Sequence, residues 1–216
     1  MKIYKYTTKE HAVRLARYGS FRIGTLYEYR STEHRGGIAD PEEGTKTIQG
    51  TITEYFASGS DIPTNLADLG IIKVDGASSN ITLNDFSFRS SVSSGDAYIW
   101  CGSLENSLDV QRQFEGAESC VEIFNAKGFF DTLDALMRDA YNVRYKGLHI
   151  VAYKERQEEW QREGLGVHPG LIKAPAFGGQ KEIRAIWEPI PGTTIAPITG
   201  QNKRLADCCR LVRVRR

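Results

Sequence analysis

The sequence predicts an α+β fold: one domain over residues 1–216, built of mostly antiparallel sheets with two main helices. Segments rich in β-branched and aromatic residues, several of them alternating apolar and polar positions, recur along the chain, as β-strands require. Two other segments show the spacing of amphipathic helices. Because neither an internal repeat nor a linker separates these segments, all of them are expected to share one core.

The N-terminal segment predicts a strand, a helix and a second strand. Residues 2–7, KIYKYT, are aromatic and β-prone. A helix is expected over residues 8–18, because Thr7 and Glu10 have the spacing of a capping box. Residues 20–26, SFRIGTL, then predict the second strand.

The rest of the chain predicts further strands around one long helix. The strands are expected at residues 45–57, 80–90, 97–102, 119–124, 147–153 and 182–188. The helix, over residues 127–141, should pack against the sheet through Phe129, Leu133, Leu136 and Met137. The expected sheet residues opposite it are Trp100, Val121, Ile123 and Ile150. Residues 156–164 predict a short helix or a loop, and the C-terminal tail a last short strand or helix.

Charge and cysteine usage narrow the class of protein. The formal net charge is only +1, so nothing global predicts binding to nucleic acid or membranes, although the tail RLVRVRR is a local basic candidate. None of the four cysteines sits in a C-x-x-C pair, which argues against zinc ligation and favours reduced thiols. The chain starts without a signal peptide and has no membrane-spanning run, so a cytoplasmic protein without membrane contact is expected.

The segment FGGQKEIRAIWEP, residues 177–189, holds the sharpest candidate site. On a strand, Gln180, Glu182 and Arg184 fall on one face, while the apolar residues fall on the other. A carboxylate in that position suits a ribose hydroxyl and a positive charge that develops on the sugar. The alternative is an exposed sheet edge whose charges are solvated.

A block of tyrosines and arginines near the N-terminus suggests a nucleotide. Tyrosine and arginine provide stacking surfaces, and the arginine fork also suits phosphate. Tyr4 and Tyr29 are expected only to cover the sheet. The candidate ligand contacts are Tyr6, Arg22, Tyr27 and Arg30.

Two further polar features leave both a functional and a structural interpretation open. Asp40, Glu42 and Glu43 in IADPEEG suit a divalent metal, as in a nuclease, but a solvated turn is favoured. Ser103 ends the apolar strand YIWCGS, where it would either orient a catalytic carboxylate or cap a turn. The sequence contains no P-loop, no G-x-G-x-x-G motif and no Ser-His-Asp signature.

The order of short motifs resembles a widespread group of bacterial proteins of unknown function. These motifs are IYKY, SFRIGTL, DPEEG, WCGS, SCVEI and IVAY, followed by a late element that runs from Lys173 or Lys181 to Glu182 and Arg184. The group opens with a similar aromatic-Lys-Tyr strand and closes with a similar acidic-Arg strand. This resemblance spans most of the chain and implies no activity by itself.

The chain also resembles the ADP-ribosyltransferase superfamily, which includes bacterial toxins and anti-phage enzymes. That pattern has an early Arg or His, a central Ser, Thr or Tyr, and a late strand with Q-x-E or E-x-E. Arg22, Ser103 and Gln180-Lys181-Glu182 occur here in that order. The resemblance implies that Glu182 is catalytic and contacts the nicotinamide ribose of NAD, and that Gln180 faces the acceptor.

Two arrangements of the nucleotide contacts stay open under this resemblance. Either Arg22 supplies the early contact, or Tyr6 and Thr7 supply it while Tyr27 stacks on a ring. The implied function is transfer of ADP-ribose from NAD to a nucleic acid or protein, by an intracellular toxin or phage-defence effector with an antitoxin as partner. The alternatives are a non-enzymatic nucleotide or nucleic-acid binding module and a metal-dependent nuclease.

Overall fold

The computed structural model describes residues 1–30, 40–58, 64–72, 80–161 and 164–215, and its centre is an eight-stranded antiparallel sheet. Within these residues there are thirteen strands: β1 (Ile3–Thr7), β2 (Ser20–Thr25), β3 (Thr45–Ser58), β4 (Asn80–Ser93), β5 (Tyr98–Ser103), β6 (Ser119–Ile123), β7 (Val143–Ile150), β8 (Ala152–Tyr153), β9 (Gln157–Glu159), β10 (Ile172–Lys173), β11 (Glu182–Pro189), β12 (Ile198–Gln201) and β13 (Cys209–Val212). The sheet runs β12-β2-β5-β1-β6-β13, and β11 joins β5 to β7.

Five α-helices lie in the described part of the chain. They are α1 (Lys9–Tyr18), α2 (Thr64–Asp68), α3 (Leu108–Arg112), α4 (Ala126–Ala140) and α5 (Lys203–Ala206), with 3-10 helices at Glu28–Arg30, Pro169–Leu171 and Pro175–Gln180. The cap of α1 is Thr8, whose side chain accepts a hydrogen bond from the His11 backbone, so the capping box predicted at Thr7 is wrong by one residue. Among the described residues, no helix combines the length and apolar character needed to cross a membrane.

The predicted α+β class and the mostly antiparallel sheets are confirmed, and α1 and α4 are the two predicted main helices. Six of the predicted strands lie in the central sheet, as β1, β2, β5, β6, β7 and β11, although β7 begins earlier than expected, at Val143. The predicted strands at residues 45–57 and 80–90 are β3 and β4, which lie in a separate sheet of three strands. The segment predicted as a short helix or loop contains instead the strand β9, which pairs in parallel with β3. The C-terminal tail contains both a short helix, α5, and a strand, β13.

Helices α1, α4 and α5 cover one face of the central sheet and form the main core with it. Phe129, Leu133 and Met137 of α4 are buried there as predicted, whereas Leu136 is only partly buried. The predicted partners Trp100, Val121 and Ile123 are buried in the same core. The prediction for Ile150 is wrong, because its side chain is 66% exposed. Ile150 ends the edge strand β7, and Leu148 is the last residue of that strand to pack on the core.

The sheet splits next to β5. One edge of β5 pairs with β11 along its whole length. On the other edge, β2 pairs with Tyr98 and Ile99, while β1 pairs only with Ser103. Among the described strands, residues 100–102 therefore have no strand partner on that edge, and β1 and β2 diverge from each other on either side of them.

Candidate functional site

A cleft of about 900 Å³ lies at this split, which places it within the usual size range of small-molecule sites. Its floor includes Ser103, Lys173, Glu182 and Arg184. Its walls are β1, α1, the facing strands β2 and β12, and the segment 114–117. Clefts where neighbouring strands diverge are common ligand sites, because backbone groups and side chains from several elements meet there.

Lys5 of β1 projects into the gap between the diverging strands. Its Nζ donates a hydrogen bond of 2.6 Å to the carbonyl oxygen of Cys101 and lies 5.0 Å from the centre of the Trp100 ring. Burial lowers the pKa of Lys5, and the charges of Cys101 and Glu182 oppose that shift. Lys5 was not among the residues predicted for the site. The only signal in the sequence was a lysine between Tyr4 and Tyr6 in a predicted strand.

Glu182 is the first residue of β11 and stands opposite Ser103 of β5. Its side chain is buried, and its carboxylate is 2.9 Å from Lys173 Nζ and 2.7 Å from Arg184 Nε. Burial alone would raise the pKa of Glu182, but the positive charges of Arg184 and Lys173 outweigh it and hold the pKa well below its usual range. The carboxylate is therefore ionised at neutral pH, although it is almost completely removed from solvent.

Glu182 belongs to a buried network of alternating charges, which accounts for the polar residues in the segment QKEIR. Arg184 donates to both oxygens of Glu43, at 2.7 and 3.0 Å, and to the carbonyl of Gly170. Lys173 Nζ donates to Gln180 Oε1 at 2.8 Å as well as contacting Glu182. Glu182 and Arg184 share a face of β11 as predicted, whereas Gln180 precedes the strand, at the end of a 3-10 helix, and joins the same buried network through Lys173. The alternative, a solvated sheet edge, is wrong because all three side chains are buried.

The acidic turn is also placed differently from the favoured prediction. Asp40 and Glu43 are buried rather than solvated, because Asp40 pairs with Arg156 and Glu43 with Arg184. Glu42 is exposed and lies 3.6 Å from Arg156. Guanidinium groups thus engage the carboxylates that a metal-dependent nuclease would need at this turn.

Five of the predicted site residues line the cleft: Tyr6, Thr7, Arg22, Ser103 and Glu182. The Tyr6 ring stacks on Phe114 with 5.9 Å between ring centres, and its hydroxyl donates to the carbonyl of Glu105. Arg22 forms an ion pair with Glu28. The Ser103 hydroxyl accepts a hydrogen bond from the Glu105 backbone at 3.2 Å, so it caps the turn that follows β5.

The other three predicted site residues, Gln180, Tyr27 and Arg30, are not among those that line the cleft. Gln180 is buried and accepts a hydrogen bond from Lys173 Nζ, so its side chain is removed from solvent. The Arg30 guanidinium lies 3.9 Å from the centre of the Tyr27 ring, and its Nε donates to the carbonyl of Glu43. Tyr27 and Arg30 therefore support the segment that carries Glu43.

More cationic than acidic side chains line the cleft. The cationic ones are Lys5, Arg14, Arg22, Lys173 and Arg184 and the acidic ones are Glu115 and Glu182, while Glu28 and Glu43 pair with Arg22 and Arg184 from outside the lining. Phe21 and Tyr6 add aromatic surface to the two walls. Phosphate groups, aromatic rings and one developing positive charge beside Glu182 would all find complementary groups here.

Comparisons of the chain with protein-family models, with curated proteins and with solved structures found no match.

Proposed function

We propose that the chain transfers ADP-ribose from NAD to a macromolecular acceptor, a nucleic acid or a protein. The observation that carries the proposal is an ionised, buried carboxylate, Glu182, at the floor of a cleft with cationic and aromatic walls. NAD combines an anionic pyrophosphate, two rings and a ribose that becomes positively charged when its nicotinamide bond breaks. Each of these features has a matching group in the cleft.

The proposed roles follow from where the side chains lie. Glu182 accepts a hydrogen bond from the nicotinamide ribose and stabilises the positive charge that develops on it. Lys5 and Arg22, on the diverging strands, bind the pyrophosphate, and Arg22 exchanges its Glu28 partner for phosphate oxygens. Tyr6, fixed against Phe114, provides the stacking surface that the prediction had assigned to Tyr27. Lys173 and Arg184 keep Glu182 ionised and fix its position.

The cellular role proposed with this activity is that of a cytoplasmic toxin or phage-defence effector, with an antitoxin as partner. It rests on the resemblance of Arg22, Ser103 and the Q-x-E segment to the ADP-ribosyltransferase pattern. The cleft supports the catalytic part of that resemblance, since Arg22, Ser103 and Glu182 all line it.

One observation favours a second candidate, a nucleotide-binding module without catalysis. Both oxygens of Glu182 already contact cations, Oε1 contacting Arg184 and Oε2 contacting Lys173. A carboxylate held in this way stabilises the fold whether or not it acts on a substrate. The two candidates differ in one measurable outcome, which is whether the bond between nicotinamide and ribose breaks.

The test uses NAD labelled in its adenylate half, incubated with the purified protein and cell lysate. Protease or nuclease treatment then shows which class of macromolecule carries the label. The variant is Glu182→Asp, which keeps the charge but withdraws it from the cleft by one methylene. The matched control is Glu122→Asp, which shortens another buried carboxylate held by two cations, Lys2 and Arg210, but does not line the cleft.

We expect the wild-type protein to label a macromolecule and Glu182→Asp to do so at least about a hundredfold more slowly. Folded Glu122→Asp protein should retain most of the activity. Nicotinamide release that is equal in wild type and Glu182→Asp would contradict the role of Glu182. Binding of NAD without any release of nicotinamide would support the non-catalytic module instead.

A further inference from the structure

A basic surface adjoins the mouth of the cleft on the side of α1. Its cations are carried by α1, β2 and α5, and they are Lys9, Arg14, Arg17, Arg22, Lys203 and Arg204. We call these six residues, together with the exposed Tyr18, the basic face. Tyr18 is the last residue of α1 and is 50% exposed, so part of its side chain is accessible to a partner.

The backbone holds these elements together as one surface. The Asn202 backbone N–H, which precedes α5, donates to the carbonyl of Gly19 at 3.1 Å, and Lys203 Nζ donates to the carbonyl of Arg17 at 3.2 Å. Strand β12, which leads into α5, pairs with β2 along four residues. Because Arg14 and Arg22 also line the cleft, the basic face is continuous with the proposed site of transfer.

The positive charge of this face is only partly balanced. Three of the six cations have an acidic neighbour: Arg14 lies 3.7 Å from Glu10, Lys203 lies 3.9 Å from Asp207, and Arg22 pairs with Glu28. Within the described part of the chain, the other three, Lys9, Arg17 and Arg204, form no ion pair. By contrast, each exposed cation of α3 and α4 has an acidic partner, in the pairs Arg112–Asp109, Lys127–Asp131 and Arg138–Asp134.

We infer that the acceptor of the proposed transfer is a single-stranded nucleic acid, which lies across the basic face and enters the cleft between Arg14 and Arg22. Spaced cations suit a phosphate backbone, and an exposed tyrosine among them suits an unstacked base. The inference rests on the proposed function for the transfer step only. Binding to the face needs no NAD and is measured separately.

The transfer that this arrangement implies is balanced without a further reactant. The bond between the ribose C1′ and the nicotinamide nitrogen breaks, and nicotinamide leaves as a neutral molecule with the electron pair. A nitrogen or hydroxyl of the nucleic acid forms the new bond to C1′, and its proton passes to water.

The first measurement is the fluorescence anisotropy of labelled single-stranded DNA and RNA oligonucleotides with the whole chain, without NAD, between about 50 and 200 mM salt. The test variant replaces Lys9, Arg17 and Arg204 by alanine together. The matched control replaces Arg112, Lys127 and Arg138 in the same way, which removes the same number of exposed cations elsewhere. Thermal unfolding of both variants confirms that they are folded.

We expect the test variant to bind at least about tenfold more weakly at 100 mM salt. Its plot of log affinity against log salt concentration should become less steep, with the magnitude of the slope smaller by about 2. The control variant should stay within about twofold of wild type. Tyr18→Ala should weaken binding about fivefold or more and leave the salt slope unchanged, because a stacking contact releases no counterion.

Equal losses of affinity in the test and control variants would overturn the inference. It would also be overturned if the wild-type protein bound no oligonucleotide, or if protease but not nuclease released the label from the acceptor. Oligonucleotide binding that depends on the basic face, without any transfer from NAD, would support the surface and contradict the transferase. Transfer to nucleic acid that is unaffected by the test variant would support the transferase and overturn the surface.

Discussion

The two faces of β11 are built on different principles. On one face, Ile183, Ala185 and Trp187 pack into the main core beneath the helices. On the other face, Glu182 and Arg184 are just as deeply buried but are held by ion pairs with Lys173 and Glu43. The apolar face needs only side chains of suitable size, whereas the polar face needs a specific partner for each charge. A change on the polar face should therefore cost more than a comparable change on the apolar face.

The largest expected effect is on the polar face. Glu182→Gln leaves Lys173 buried beside an uncharged amide, and breaking a buried ion pair from one side costs about 3–5 kcal/mol of the free energy of unfolding. Denaturant unfolding measures this loss. Glu122→Gln is a useful comparison, because Glu122 is also buried but its partners Lys2 and Arg210 are mostly exposed. If Glu122→Gln proved as costly as Glu182→Gln, the distinction between buried and exposed partners would fail.

A loss of similar or smaller size is expected in the core beneath the apolar face. Leu133 of α4 is fully buried there, so Leu133→Ala should lower the free energy of unfolding by about 2–5 kcal/mol through lost burial and a cavity. The same denaturant titration measures it. A change within experimental error would show that α4 is not packed against the sheet as described.

Acid should reduce the difference between wild type and Glu182→Gln. The pKa of Glu182 is lowered in the folded protein, so its ionised form contributes stability at pH values above the usual pKa of 4.5. That contribution is lost progressively as the pH falls below 4.5. The difference in the free energy of unfolding should accordingly be full at neutral pH and shrink progressively below about pH 4.5. A difference that stayed constant or grew on acidification would contradict the lowered pKa.

The smallest effect is expected at Ile150, which belongs to the neighbouring strand but lies outside both buried faces. Its side chain is 66% exposed, so Ile150→Ala should change the free energy of unfolding by no more than about 0.5 kcal/mol. A loss of the size expected for Leu133→Ala would place Ile150 in the core after all.

Sequence periodicity predicted the apolar half of this comparison because it depends on local spacing. The alternation in β11 and the helical spacing of Phe129, Leu133 and Met137 are visible within a few residues of each other. Ile150 shows the limit of that reasoning, since periodicity gives the face of a residue but not the point at which its strand leaves the covered part of the sheet.

The polar half could be predicted only in part. The shared face of Glu182 and Arg184 followed from alternation, whereas Gln180 lies outside the strand, before the left-handed Lys181. Glu43 lies 141 residues before Arg184, and no local pattern links them. For the same reason Asp40 and Glu43 were expected to be solvated. Lys5 was missed because its importance comes from the divergence of β1 from β2, which is a property of the sheet and not of either strand.

The cleft between β1 and β2 is expected to bind NAD, and isothermal titration calorimetry with NAD measures this binding without a need for catalysis. We expect a Kd of about 1 mM or tighter. Lys5→Met and Arg22→Ala should each weaken it at least about tenfold, whereas Lys127→Ala, on the exposed side of α4, should leave it unchanged. Folded wild-type protein that binds no NAD at this concentration, or equal binding by all three variants, would contradict the account.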